Sequence, residues 1–193
     1  WDYIDCRIRR EFSNTMSNLL VQNIKHTNGT TAATVNSSGV FASAGHILQT
    51  VDFTYSTLVD TESTGYVDTG VSAVITPKFS NSKIYVTGFL HCRIYGEHDH
   101  GVSFKLRRTV GGVVTDVYTA PLTYECYFYD GTANTTIHDS ITRFPMFVVD
   151  TPSSTSACTY AYQYASMRTS DNNNTQMQPG SGNSHGFIME IAQ

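Results

Sequence analysis

Charge is what this sequence has least of. Of its 193 residues only 15% are Asp, Glu, Lys or Arg, and the formal net charge is −4. Lys and Arg number 12 against 16 acids, so nothing is left over to neutralise phosphates. The one basic cluster, Arg7, Arg9 and Arg10, sits among Asp2, Asp5 and Glu11, and no nucleic-acid partner is expected. No stretch approaches the roughly 20 consecutive apolar residues of a membrane helix. The N-terminus has no basic region followed by an apolar run, so neither membrane insertion nor a secretion signal is expected. Four cysteines, Cys6, Cys92, Cys126 and Cys158, lie far apart without a Cys-x-x-Cys pair, which gives neither a zinc framework nor a small disulfide scaffold. They read as reduced, partly buried thiols.

What fills the chain instead is Thr, Ser, Asn, Gly and Tyr beside 40% hydrophobic residues, a mixture suited to strands and turns. The length allows one domain with its own core and a short appendage. In the first fifteen residues Ile4, Ile8 and Phe12 fall at i, i+4 and i+8, which predicts a short helix. From Met16 to Phe41 apolar residues come thinly, between the turns Asn28-Gly29 and Ser38-Gly39. Leu20, Val21, Ile24, Val35, Val40 and Phe41 are too few for a core and need burial against another subunit or protein. Residues 1–46 are therefore read as an anchoring and oligomerisation segment, and 47–193 as the head domain.

In the head, period two dominates. From Lys83 to Tyr95, Ile84, Val86, Gly88, Leu90, Cys92 and Ile94 point one way, and Tyr85, Thr87, Phe89, His91, Arg93 and Tyr95 the other. Val102, Phe104 and Leu106 alternate before Gly111-Gly112, and Val113 to Tyr118 returns, as in a hairpin. Further strands are expected at 48–59, 71–76, 122–129, 141–150, 157–168 and 187–192. Pro77, Pro121, Pro145, Pro152 and Pro179 are read as lying at or near strand ends. Eight or nine strands joined by polar turns, with no helical pattern between them, predict an all-β fold: an antiparallel, jelly-roll-like β-sandwich with a thin N-terminal extension.

Three stretches carry a resemblance. Leu20-Val21-Gln22-Asn23-Ile24-Lys25-His26-Thr27-Asn28-Gly29-Thr30-Thr31-Ala32-Ala33-Thr34-Val35-Asn36-Ser37-Ser38-Gly39 resembles the opening of fibre-like proteins of marine and other tailed bacteriophages, where it follows the initiating methionine as Met16-Ser17 would here. Gly65-Tyr66-Val67-Asp68-Thr69-Gly70-Val71-Ser72-Ala73-Val74-Ile75-Thr76-Pro77, followed by Asn81-Ser82-Lys83-Ile84-Tyr85-Val86, is similar to the first strands of their head domain. Gly186-Phe187-Ile188-Met189-Glu190-Ile191 is similar to their closing strand. Residues 96–183 match no such pattern, and Trp1 to Thr15 depart from it.

The resemblance implies a non-enzymatic structural protein at the virion surface, assembled in the bacterial host cytoplasm. Its head would be similar to the tumour-necrosis-factor fold and trimeric with itself. The N-terminal segment, with Ile4, Ile8, Phe12, Leu20, Val21 and Ile24, would anchor it to other virion proteins. The head would present itself to a host surface glycan or protein. A capsid decoration or cementing protein without a specific ligand is the second reading, and a polysaccharide-degrading spike the third.

Residue types offer few catalytic constellations. Asp52, Glu62, Glu97, Asp99, Glu125, Asp130 and Asp139 are scattered, and no Gly-x-Ser-x-Gly elbow, phosphate loop or His-Glu-x-x-His occurs, so no catalytic residue and no enzyme are expected. His98 and His100, at i and i+2 of an extended chain, would project to one side and on a threefold axis would make a nitrogen cage for a transition metal. The plainer reading is a solvated, glycine-flanked loop, and neither metal nor cofactor is expected. The aromatic excess says more. Tyr85, Phe89 and Tyr95 lie opposite the apolar face of their strand and are expected at a subunit interface. Tyr124, Tyr127, Phe128 and Tyr129 form one cluster; Tyr160, Tyr162 and Tyr164 line one face of another strand, as core or interface. Residues 171–184 read as a long polar loop whose amides would meet sugar hydroxyls if the loop were held in place.

Overall fold

The structure, a computed structural model, describes residues 22–35, 39–120, 125–129, 136–169 and 172–193. The helix expected around Ile4, Ile8 and Phe12, and the anchoring residues Leu20 and Val21, lie outside them.

Alternating side chains close into two facing antiparallel sheets. The front sheet holds β4 (Ile47–Tyr55), β5 (Val59–Thr61), β7 (Lys83–Gly96), β11 (His138–Asp150), β13 (Asn174–Met177) and β14 (Ser184–Ile191). The back sheet holds β6 (Val67–Ile75), β8 (His100–Val110), β9 (Val113–Thr119), β10 (Cys126–Phe128) and β12 (Cys158–Ser166). Several positions are shared by two short strands. β14 and β13 pair successive halves of β7, β4 and β5 pair those two in turn, and β9 and β10 pair successive parts of β8. Each sheet is thus four positions wide, the layout of a jelly-roll-like sandwich. A separate small sheet of β1 (Asn23–Lys25), β2 (Thr31–Val35) and β3 (Phe41–Ala42) precedes it, and Ile24 is exposed there.

The core is what the period-two pattern of β7 requires. Ile84, Val86, Leu90, Cys92 and Ile94 are buried and meet Val102, Phe104 and Leu106 of β8 and Val71 and Ile75 of β6. Gly111 and Gly112, with φ of 55° and 83°, make the turn from β8 to β9 in the left-handed region that glycine enters without strain. Burial pushes the Cys92 thiol far above its ordinary range. Cys92, Cys126 and Cys158 are all unbridged.

One open reading is decided, for core over interface, and two expectations need correction. Tyr160, Tyr162 and Tyr164 are 2%, 2% and 0% exposed within the chain's own core, so no subunit contact reaches them. The facing strands offer enough apolar surface to cover them, and the Tyr160 hydroxyl is satisfied by Asp150 Oδ2 at 2.6 Å. Pro145 stands inside β11, opposite Phe89, rather than at a strand end. It is tolerated because β11 is an edge strand, paired with β7 alone among the described residues. The polar loop of 171–184 contains β13 and a short 3₁₀ turn, Pro179–Ser181. Its alternation was hidden because a polar residue, Thr175, shares the inward side with Met177, and both are buried.

Candidate functional site on the outer face of the front sheet

Since opposed residues of antiparallel strands share a face, the register of β7 fixes what surrounds each outward side chain. Tyr85 lies between Val149 of β11 and Met189 of β14, Thr87 between Phe147 and Phe187, and Phe89 between Pro145 and His185. Further along, Arg93 lies between Ile141 and Gln176, and Tyr95 between Asp139 and Asn174. The face is therefore apolar at one end and polar at the other.

At the apolar end Phe147 is 65% exposed and meets Tyr85 edge to face, ring centroids 5.7 Å apart. Phe89 is flanked by the His185 ring at 6.3 Å and the Arg143 guanidinium at 5.0 Å. Ile47, Val149 and Phe187 are also exposed. An isolated sandwich turns polar side chains to water on such a face; this one shows a contiguous apolar band.

At the polar end Arg93 grips Asp139 with two bonds, Nε to Oδ1 at 2.7 Å and Nη2 to Oδ2 at 2.6 Å, and donates to Gln176 Oε1 at 3.3 Å. The guanidinium lies 5.2 Å from the centre of the Tyr95 ring. The hydrogen bonds from Arg93 hold the Asp139 carboxyl below the usual carboxylate range. Glu62, Arg93, Tyr95, Asn172, Asn174 and Gln176 line an open cleft of about 410 Å³.

Between the two ends His91 is half-buried, and burial together with the charge of Arg143 lowers its pKa from the ordinary 6.5. With the folded-state value depressed, the unfolded chain takes up the proton first as pH falls. The stability contributed by neutral His91 is present above about pH 6.5 and is lost on acidification through the folded-state value. Thermal melts of the protein and of His91→Asn, from pH 7.5 to pH 5, are expected to show a smaller acid-side loss in the variant; parallel curves would contradict the assignment.

His98 and His100 do not form a one-sided pair. His98 takes a left-handed φ of 57° in the bend between the sheets, which ends the extended chain. His100 is buried, donates from Nδ1 to the His98 carbonyl at 2.8 Å, and stacks between Phe128 at 5.0 Å and His138 at 5.7 Å. Among the described residues no three His, Cys, Asp or Glu side chains gather at metal-binding distance. Four of the acids are engaged locally: Asp99 with Arg168, Glu125 with Tyr118, Glu97 with Asn172 and Asp139 with Arg93. Asp130 and Tyr124 lie outside the described residues. Tyr85 and Phe89 belong to the apolar end and Tyr95 to the cleft. Asn174 and Gln176 belong to the stretch whose amides were expected to meet sugar hydroxyls; β13, which holds them, was missed, and their alternation with Thr175 and Met177 was the available signal.

No protein-family model matches the chain, and no curated protein does. Among solved structures it is similar to the VP2 protein of infectious bursal disease virus in derived particles, with 12% identity, TM-score 0.41, and coverage of 78% of this chain and 33% of that one. It is also similar to a structure of the Gx strain of the same virus, with 11% identity, TM-score 0.42, and coverage of 90% and 37%. The chain thus spans about a third of the length of the structures it matches. A likeness at this level carries no weight for function.

Proposed function

We propose that this chain is a non-enzymatic structural subunit of a viral particle, a fibre or knob protein of a tailed bacteriophage that works as a homotrimer and exposes its head to the host surface. The observation that carries the reading is the apolar band on the outer face of the front sheet. Phe147, Val149, Phe187 and Ile47 are exposed around the half-buried Tyr85 and Phe89. A second copy of the same chain supplies the cover most simply, since a face repeated on every copy is available for symmetric association. Each aromatic buried there contributes about 1.5–3 kcal/mol from area alone, so a few per chain hold copies together. The sequence resemblance supplies the phage setting, and the threefold order follows from the symmetry common to such heads.

Sedimentation of the purified protein at micromolar concentration is expected to show a single trimeric species. Replacing Phe147 and Val149 by Ser should give folded monomer or loosely associating protein, because Phe147 has little packing within its own chain to lose. A stable native monomer would overturn the proposal.

A further inference from the structure

We propose that the cleft at the polar end of the front sheet is a binding site for a neutral pyranose sugar. The inference rests on the reading of the head as a surface-presenting domain and assigns its contact site. Two adjacent rows of side chains build the cleft. One runs Asp139, Tyr95 and Asn174 across β11, β7 and β13, with Glu62 at the rim; the other runs Ile141, Arg93, Gln176 and Asp60 across β11, β7, β13 and β5. A sugar needs a flat apolar surface for its C–H face and a ring of mixed donors and acceptors for its hydroxyls. Tyr95 supplies the first. Its ring is half-buried and fixed from one side by the Arg93 guanidinium, which Asp139 and Gln176 lock in turn, so little side-chain entropy is lost when a ligand stacks.

The second requirement is met by amides and a carboxylate. Asn174 and Gln176 stand on the outward side of β13 and bring their amides to the cleft. Gln176 and Asn172 retain further donors and acceptors, and Glu62 adds a carboxylate at the rim. These amides are held in place because β13 is hydrogen-bonded into the sheet between β7 and β5. Asn172 is further tied to Glu97 by a 2.9 Å bond.

Charge selects among sugars. Arg93, the cation lining the cleft, is spent on Asp139, while Glu62 adds a carboxylate to the lining and Glu97 is bonded to the lining residue Asn172. An anionic sugar or a phosphate meets uncompensated negative charge, whereas a neutral hexose or N-acetylhexosamine does not. The cleft's 410 Å³ suits one ring with its neighbours lying in solvent.

The test is saturation-transfer NMR and calorimetry on the full chain with the methyl glycosides of glucose, galactose, mannose and N-acetylglucosamine, and with N-acetylneuraminic acid as the anionic comparison. At least one neutral glycoside is expected to bind with a Kd of about 1–10 mM. Tyr95→Ala should weaken it at least about tenfold and Glu62→Gln severalfold, with melting temperature and sedimentation unchanged. Phe147→Ser should leave sugar binding intact. Absence of binding by every neutral glycoside, undiminished binding in Tyr95→Ala, or preference for the anionic sugar overturns the inference. A trimer that binds no sugar refutes this site alone, and a sugar-binding monomer refutes the trimeric reading alone.

Discussion

Replacing Glu190 by Ala is expected to lower the free energy of unfolding by about 4 kcal/mol. Glu190, on β14, is 0% exposed, and among the described residues no cation pairs with it. Donors replace the cation. Oε1 accepts from the Lys78 and Phe79 backbone amides at 2.7 and 3.2 Å and from Ser82 Oγ at 2.7 Å, while Oε2 accepts from Gln49 Nε2 at 2.5 Å. One carboxylate therefore ties the connection between β6 and β7 to β4 and β14. Truncation leaves the buried Ser82 hydroxyl and two part-buried backbone amides without this acceptor and opens a cavity. Glu190→Gln should cost about half as much, since one amide oxygen still accepts. Urea titration of the three proteins measures the series; a loss below about 1 kcal/mol in the alanine variant would mean that water replaces the carboxylate and that the network is not structural.

Gly186→Ala is expected to destabilise by about 3 kcal/mol or more, through overpacking. A Cβ there would lie 2.2 Å from the Thr87 carbonyl oxygen, 2.5 Å from Phe53 Cζ and 2.7 Å from Gly88 Cα. Two of these neighbours are backbone and cannot turn aside. Gly88 is its register partner on β7, and a Cβ on Gly88 would come within 2.4 Å of the His185 carbonyl oxygen. The two strands approach through this glycine pair at the centre of the front sheet. Gly111→Ala is the informative control. It has open space around its Cβ but a φ of 55°, so only the left-handed conformation resists, at about 1 kcal/mol. Equal denaturation midpoints for the two variants would show that β7 and β14 separate enough to admit a methyl group.

The all-β class and most strands were legible because alternation along β7, β8 and β12 is local information. A strand with one buried face repeats every second residue whatever it pairs with. Pro145 misled because a proline marks a strand end in the interior of a sheet but not along an edge, and edge status depends on which strands lie alongside. β13 misled for a related reason. Thr175 is buried there, and a buried hydroxyl breaks the hydropathy pattern that normally reveals an inward side.

The candidate site divides along the same line. That Tyr85, Phe89, Arg93 and Tyr95 share one side of a strand was fixed by their spacing. That Phe147 joins Tyr85 while Asn174 and Gln176 join Tyr95 and Arg93 was decided by the register of β11 and β13 against β7, across separations of tens of residues. The pairing of His98 with His100 failed because one left-handed residue, His98, reverses the i, i+2 rule. Likewise the tyrosines of β12 became core because the front sheet covers them. By itself, then, the sequence determined which side chains alternate and hence the fold class, because that depends on chain geometry. The tertiary structure alone decided which alternating face is sealed, which is left bare, and which polar groups meet across strands, because burial and register are properties of neighbours distant along the chain.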